Sequence, residues 1–143
     1  GENKRTKAEY CTVLERTVQG NGDNNFVIKG FINGEVKNSI ILANKNYGIR
    51  FSENDKSSCV YKYCLIFAPK GLALMGSETI GDVDTFKKEV ARVSNLINDK
   101  PEFIEPVSGD YRLKDFTPGF LAGEDKKSIG VQMKATLKLL DVE

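Results

Sequence analysis

Residues Phe26 to Leu42 hold two β-rich runs joined by Asn33-Gly34, the dipeptide that most readily takes the positive φ angles of a two-residue hairpin turn. A hairpin here would set the register of a sheet, with Phe31 facing Val36 and Val27 facing Ile40. It would also make the middle of the chain a meander of short antiparallel strands instead of a nucleotide-binding βαβ unit.

Ala8 to Val18 reads as a first strand after a charged, frayed segment over residues 1–7, and Gly20 to Asn24 as a turn cluster. In Tyr47 to Phe51, Tyr47, Ile49 and Phe51 share one face of a half-buried strand. Cys59 to Ala68, Pro69-Lys70-Gly71 and Leu72 to Met75 read as a second hairpin. Val83, Phe86, Val90, Val93 and Ile97 then recur at intervals of three and four, which predicts one amphipathic helix over about 82–98, capped by Asp82 or Asp84 and stopped by Pro101. Phe103 to Gly123 carries enough proline and glycine to suggest one short strand and a wrapped loop. Ser128 to Leu139 alternates apolar and polar residues and predicts a long C-terminal strand. No internal repeat is read. The fold class expected is α+β: an antiparallel β-meander sheet or open barrel of about six to seven strands, with one helix packed against it, in a single domain over 8–143.

Charge narrows the partners. Of 143 residues, 21 are basic and 20 acidic, so no overall field draws the chain to nucleic acid or an anionic membrane. No apolar run approaches the length of a membrane-spanning helix. Cys11, Cys59 and Cys64 are read as reduced thiols, which leans towards an intracellular setting; a disulfide from Cys11 after secretion is the alternative. Cys59 and Cys64, five apart on one strand, are expected on opposite faces.

The chain contains no histidine, which removes Ser-His-Asp and Cys-His nucleophile systems and imidazole metal ligation. The nearby carboxylates, Asp82 with Asp84, Glu102 with Glu105 and Glu124 with Asp125, each have a solvent-exposed explanation in a cap, a turn or a charged loop. Neither Gly20-Asn21-Gly22 nor Gly119 to Ser128 has the order of a phosphate-binding loop. No catalytic, metal or cofactor site is therefore assigned, and the chain is read as leaning away from an enzyme.

Two groups of residues are candidates for binding. Phe116, Pro118, Phe120 and Leu121 surround a Pro-Gly turn that can push apolar side chains outwards as a protein-binding tip. Tyr61 and Tyr63, two apart on a strand, would share a face as stacking platforms for single-stranded nucleic acid, with Lys29, Lys134 and Lys138 as a basic track. With 16 Lys and 5 Arg, however, the chain lacks the arginine enrichment of bidentate phosphate readers. The function expected is a soluble, non-catalytic interaction domain that binds another protein through loops or a sheet edge. A single-stranded nucleic-acid module, and a small-ligand carrier or carboxylate enzyme with a pocket between sheet and helix, are the alternatives.

Overall fold

The computed structural model describes residues 7–15, 25–30, 33–55, 58–89 and 92–134. Its strands are short, and consecutive ones turn corners into different sheets. A first circuit runs through β1 (Lys7–Glu9), β2 (Thr12–Leu14) and β3 (Phe26–Lys29), a second through β4 (Glu35–Lys37), β5 (Ile40–Leu42) and β6 (Tyr47–Phe51), and a third through β7 (Val60–Lys62), β8 (Leu65–Phe67) and β9 (Gly71–Met75). Each circuit stacks on the next by parallel pairing, β1-β4-β7 on one face, β2-β5-β8 on the second and β3-β6-β9 on the third. The result is a three-faced parallel β-solenoid, in which each rung contacts chiefly its neighbours.

The corner between the first and second faces shows how local sequence builds the rung. Tyr10, Asn38, Tyr63 and Asn95 follow the first-face strands, and all take left-handed φ angles of 52–53°. One such residue swings the chain out of a strand without reversing it. Asparagine visits this region readily, whereas tyrosine does so only when its surroundings over-determine it. The surroundings here are the other corners: Tyr10 N–H donates to the Lys37 carbonyl, Asn38 N–H to Lys62, and Tyr63 N–H to Ser94, at 3.0–3.2 Å.

Side chains pointing inward stack in register. Ala8, Val36, Tyr61 and Val93 form one ladder, and Ile28, Ile49 and Ala73 another. These residues share one apolar interior with Ile41, Ile66, Leu72 and Met75. At one end, β10 (Glu78–Ile80) folds back on β9 as an antiparallel hairpin, and α1 (Val83–Glu89) tucks Phe86 into the interior, edge-on to Tyr61 with ring centroids 5.6 Å apart. Asp82 caps α1, accepting the Thr85 N–H at 2.8 Å. β11 (Val93–Ser94) then begins a fourth circuit beside β7, continued by a bridge from Ile97 to Leu65.

The second face carries apolar residues outside as well as inside. Ile40, Leu65 and Ile97 project away from the interior and form a second core with Leu42 and Phe67. The chain returns along this face as a wrap over residues 101–134, opening with the antiparallel pair β12 (Phe103–Glu105) and β13 (Asp110–Leu113). Leu113 and Ile129 close over Ile40 and Leu65, both of which become fully buried. Burial on this scale is worth roughly 1.5–3 kcal/mol per large aliphatic side chain, so the wrap and the solenoid stabilise each other. Gly130 shows how closely the two approach. Its φ is +86°, and a Cβ there would lie 2.6 Å from the Thr12 hydroxyl and 2.7 Å from Ile40 Cδ1.

Several expectations are corrected. The antiparallel meander is replaced by sheets that are mostly parallel, with antiparallel pairing confined to β9–β10 and β12–β13 among the described residues. Asn33 does take a positive φ of 54°, but its flanking strands enter different sheets, and Ile40 pairs with Thr12 and Leu65, not with Val27. Cys59 to Ala68 is two strands broken at Tyr63. That corner resets the alternation and places both Cys59 and Cys64 in the interior. The helix is described over Val83–Glu89 and does not take in Val93 and Ile97, which are rung positions of the fourth circuit and only imitate a helical stripe. Ser128 to Lys134 forms no strand and serves as the closing part of the wrap. Residues 1–6, the 20–24 turn, Phe31, Val90 and residues 135–139 lie outside the described residues.

An internal repeat is also present. Residues 7–14 (KAEYCTVL), 35–42 (EVKNSIIL) and 60–67 (VYKYCLIF) occupy equivalent rung positions, and residues 93–97 (VSNLI) begin a fourth. In each, an inward apolar residue is followed by a polar one, the left-handed corner, and then Cys11, Ser39, Cys64 or Leu96. Their carbonyls join successive rungs: Cys11 accepts from Ile40 N–H, Ser39 from Leu65 N–H, and Cys64 from Ile97 N–H, at 2.8–2.9 Å.

Candidate interaction surface

The wrap is fastened to the corner stack by polar contacts. Asn38 is buried at the second corner. Its side-chain oxygen accepts the Glu124 N–H at 2.8 Å, and its carbonyl accepts the Gly130 N–H at 2.8 Å. Lys37 pairs with Glu124 at 2.6 Å. The Tyr10 hydroxyl donates to Asp125, and burial together with that carboxylate pushes the phenol up to about 12. Val131 N–H donates to the Thr12 hydroxyl at 3.0 Å. On the hairpin, Asp110 is buried and accepts a two-pronged bond from Arg112, at 2.9 Å from Nε and 2.7 Å from Nη2, which draws its carboxyl down to about 2.

Fixed on this frame, residues 114–122 form a loop tied at both ends. Lys114 N–H donates to the Glu102 carbonyl at 3.0 Å, Glu102 N–H donates to the Thr117 hydroxyl at 2.8 Å, and Ile129 N–H donates to the Gly119 carbonyl at 3.0 Å. Phe116 and Leu121 both have left-handed φ angles, 65° and 51°, a conformation uncommon for bulky side chains. Phe116 is 91% exposed and Leu121 56% exposed. Phe120 is half-buried and meets the edge of the Phe116 ring at 5.5 Å, while Pro118 is half-buried beside them. Lys100, Glu102, Asp115, Phe116, Thr117 and Pro118 line an adjoining shallow groove of about 300 Å3.

The structure therefore brings Phe116, Pro118, Phe120 and Leu121 together in one tethered loop. It separates Tyr61 from Tyr63. Tyr61 is buried in the interior, where desolvation and then the neighbouring Cys59 thiol raise its phenol well above the usual range. Tyr63 stands at a corner, half-buried. Lys29 lies at the end of β3 and Lys134 at the end of the wrap, while Lys138 falls outside the described residues. Cys11, Cys59 and Cys64 stand outside any disulfide, and the buried Cys64, donating to the Val36 carbonyl at 3.3 Å, is pushed up to about 12 by burial.

The carboxylates named from sequence have local duties: Asp82 caps α1, Glu124 and Asp125 hold the wrap, and Glu102 rims the groove. Among the described residues no group of three or more His, Cys, Asp or Glu side chains is placed to hold a metal ion, and no helix is long and apolar enough to cross a membrane. A second surface depression, about 360 Å3, is lined by Lys29, Gly30, Arg50, Phe51, Ser52, Asp55 and Gly76.

Sequence reasoning did not single out Ile104, Val107 and Met133. With Phe116 and Leu121 they are the exposed large hydrophobic residues among those described, and all five fall within 104–133. Val107 is fully exposed on the turn between β12 and β13, and Pro106 and Gly109 beside it mark that turn in the sequence. No protein-family model matches the chain, and no curated protein matches it.

Proposed function

We propose that the chain is a non-catalytic interaction module that binds another protein through its C-terminal wrap, with Phe116 and Leu121 at the centre of the contact. The observation carrying this reading is that the exposed large hydrophobic side chains of the described residues all lie on the wrap, while those of the solenoid faces are buried or half-buried. Large exposed apolar side chains on a tethered loop, rimmed by Lys100, Glu102 and Asp115, suit a protein interface with an apolar centre and a polar edge. The ties at Glu102, Thr117 and Gly119 hold the loop in shape before binding, which lowers the ordering cost of association.

The test is site-specific photocrosslinking in extract of the source cells, with a benzophenone side chain at Phe116 and, as control, at the exposed Lys88 on α1. The Phe116 probe is expected to give a discrete protein adduct that the Lys88 probe does not, and Leu121→Asp is expected to abolish it. Identical adducts from both sites, or an adduct removed by nuclease, would overturn the reading.

A further inference from the structure

The two ends of the solenoid are unlike. At one end α1 and β10 place Phe86 and Ile80 in the interior, both fully buried. At the other, the inward residues of the first rung are only half-buried. Ala8, Val13 and Ile28 contrast with their register neighbours Val36, Ile41 and Ile49, which are at most 2% exposed. Among the described residues, β1, β2 and β3 are each the terminal strand of a sheet, so all three have an edge with no described strand beside it, on the same end of the stack. Such an edge is a template for pairing with further strands.

We propose that this end docks against the same end of a second copy of the chain, about a two-fold axis at Ala8. Two identical edges related by a two-fold axis run antiparallel, so each residue meets its counterpart reflected through the axis. β1 reads Lys7-Ala8-Glu9, which is self-complementary under that operation. Lys7 meets Glu9 of the second copy, Glu9 meets its Lys7, and the small Ala8 sits at the centre. The side chains of Lys7 and Glu9 are exposed on the outer surface, and Ala8 faces the interior. Reversing one rung against another also exchanges the second and third faces. β2 therefore meets β3 of the other copy, and Val13 is brought towards Val27 and Ile28, continuing the apolar interior across the junction. Opposite charges across an antiparallel pair favour this register, and like charges oppose it.

The proposal concerns the end of the stack remote from α1 and is independent of the Phe116 surface. It is tested by sedimentation of the full chain in reductant at low salt. The mass is expected to rise with concentration from 15.9 kDa towards twice that value. Lys7→Glu and Glu9→Lys, tested singly, each set like charges against each other twice across the axis and are expected to weaken dimerisation about tenfold. The double variant Lys7→Glu/Glu9→Lys restores both pairs and is expected to return to within about threefold of wild type. Unchanged thermal unfolding of all three variants would confirm intact folds. A chain that stays at 15.9 kDa throughout, a double variant as weak as the singles, or loss of the dimer on Phe116→Ser would each overturn the proposal.

Discussion

Single residues decide this fold where the chain turns. Tyr10, Asn38, Tyr63 and Asn95 could each have continued a strand; in left-handed geometry they send the chain to the next face. Only the asparagines advertise this in the sequence, since tyrosine normally favours strands. This is why the Cys59 to Ala68 run reads as one strand and the two cysteines appear to face apart. Asp110 is a residue whose role needed the structure. Its carboxyl is held at about 2 by the Arg112 fork, while in the unfolded chain it titrates near the usual carboxylate value. A depressed folded pKa contributes stability that is present above about pH 4 and is lost as the pH falls towards 2. Urea unfolding across that window is expected to show Asp110→Asn losing less stability than wild type. Some slope remains in the variant, because Asp82, through the Thr85 N–H, and Asp125, through the Tyr10 hydroxyl, are lowered too. Parallel slopes for variant and wild type would remove Asp110 from the account.

At the scale of elements, three-residue strands are too brief for alternation to reveal their partners. Parallel partners here lie a full circuit apart: Val36 pairs with Tyr61, and Tyr61 with Val93. The tight hairpin β9–β10 turns at Gly76-Ser77, where Gly76 has a φ of 61°. That dipeptide is a recognised hairpin signal and was legible in principle. The helix was legible in part. Its cap at Asp82 and its buried Phe86 follow from the sequence, but Val93 and Ile97 fall at helical spacing only because the next rung begins there. Helix α1 closes the interior rather than bracing a sheet face, so Phe86 acts as the plug. Phe86→Ala is expected to cost about 3–5 kcal/mol in chemical denaturation, the range for emptying a buried aromatic site. A cost under about 1 kcal/mol would mean that the end is not closed by this ring.

At the scale of the whole molecule, two apolar layers share the second face, one inside the stack and one beneath the wrap. The exposure of Phe116 and Leu121 was legible from the Pro-Gly turn between them, because it follows from local turn chemistry, whereas Pro118 and Phe120 are half-buried. The solenoid was not found. Its repeat is carried by eight-residue segments separated by circuits of uneven length, 28 and then 25 residues from one Tyr or Asn corner to the next, followed by 32. The central claim is that the chain stacks in parallel rungs with the wrap laid over them. Nuclear Overhauser contacts in an isotope-labelled sample test it most directly. Side-chain contacts are expected to link Val36 to Tyr61 to Val93, and Ile129 to Ile40 and Leu65. Close Hα–Hα contacts between Val27 and Ile40, the mark of an antiparallel hairpin across Asn33-Gly34, would contradict it.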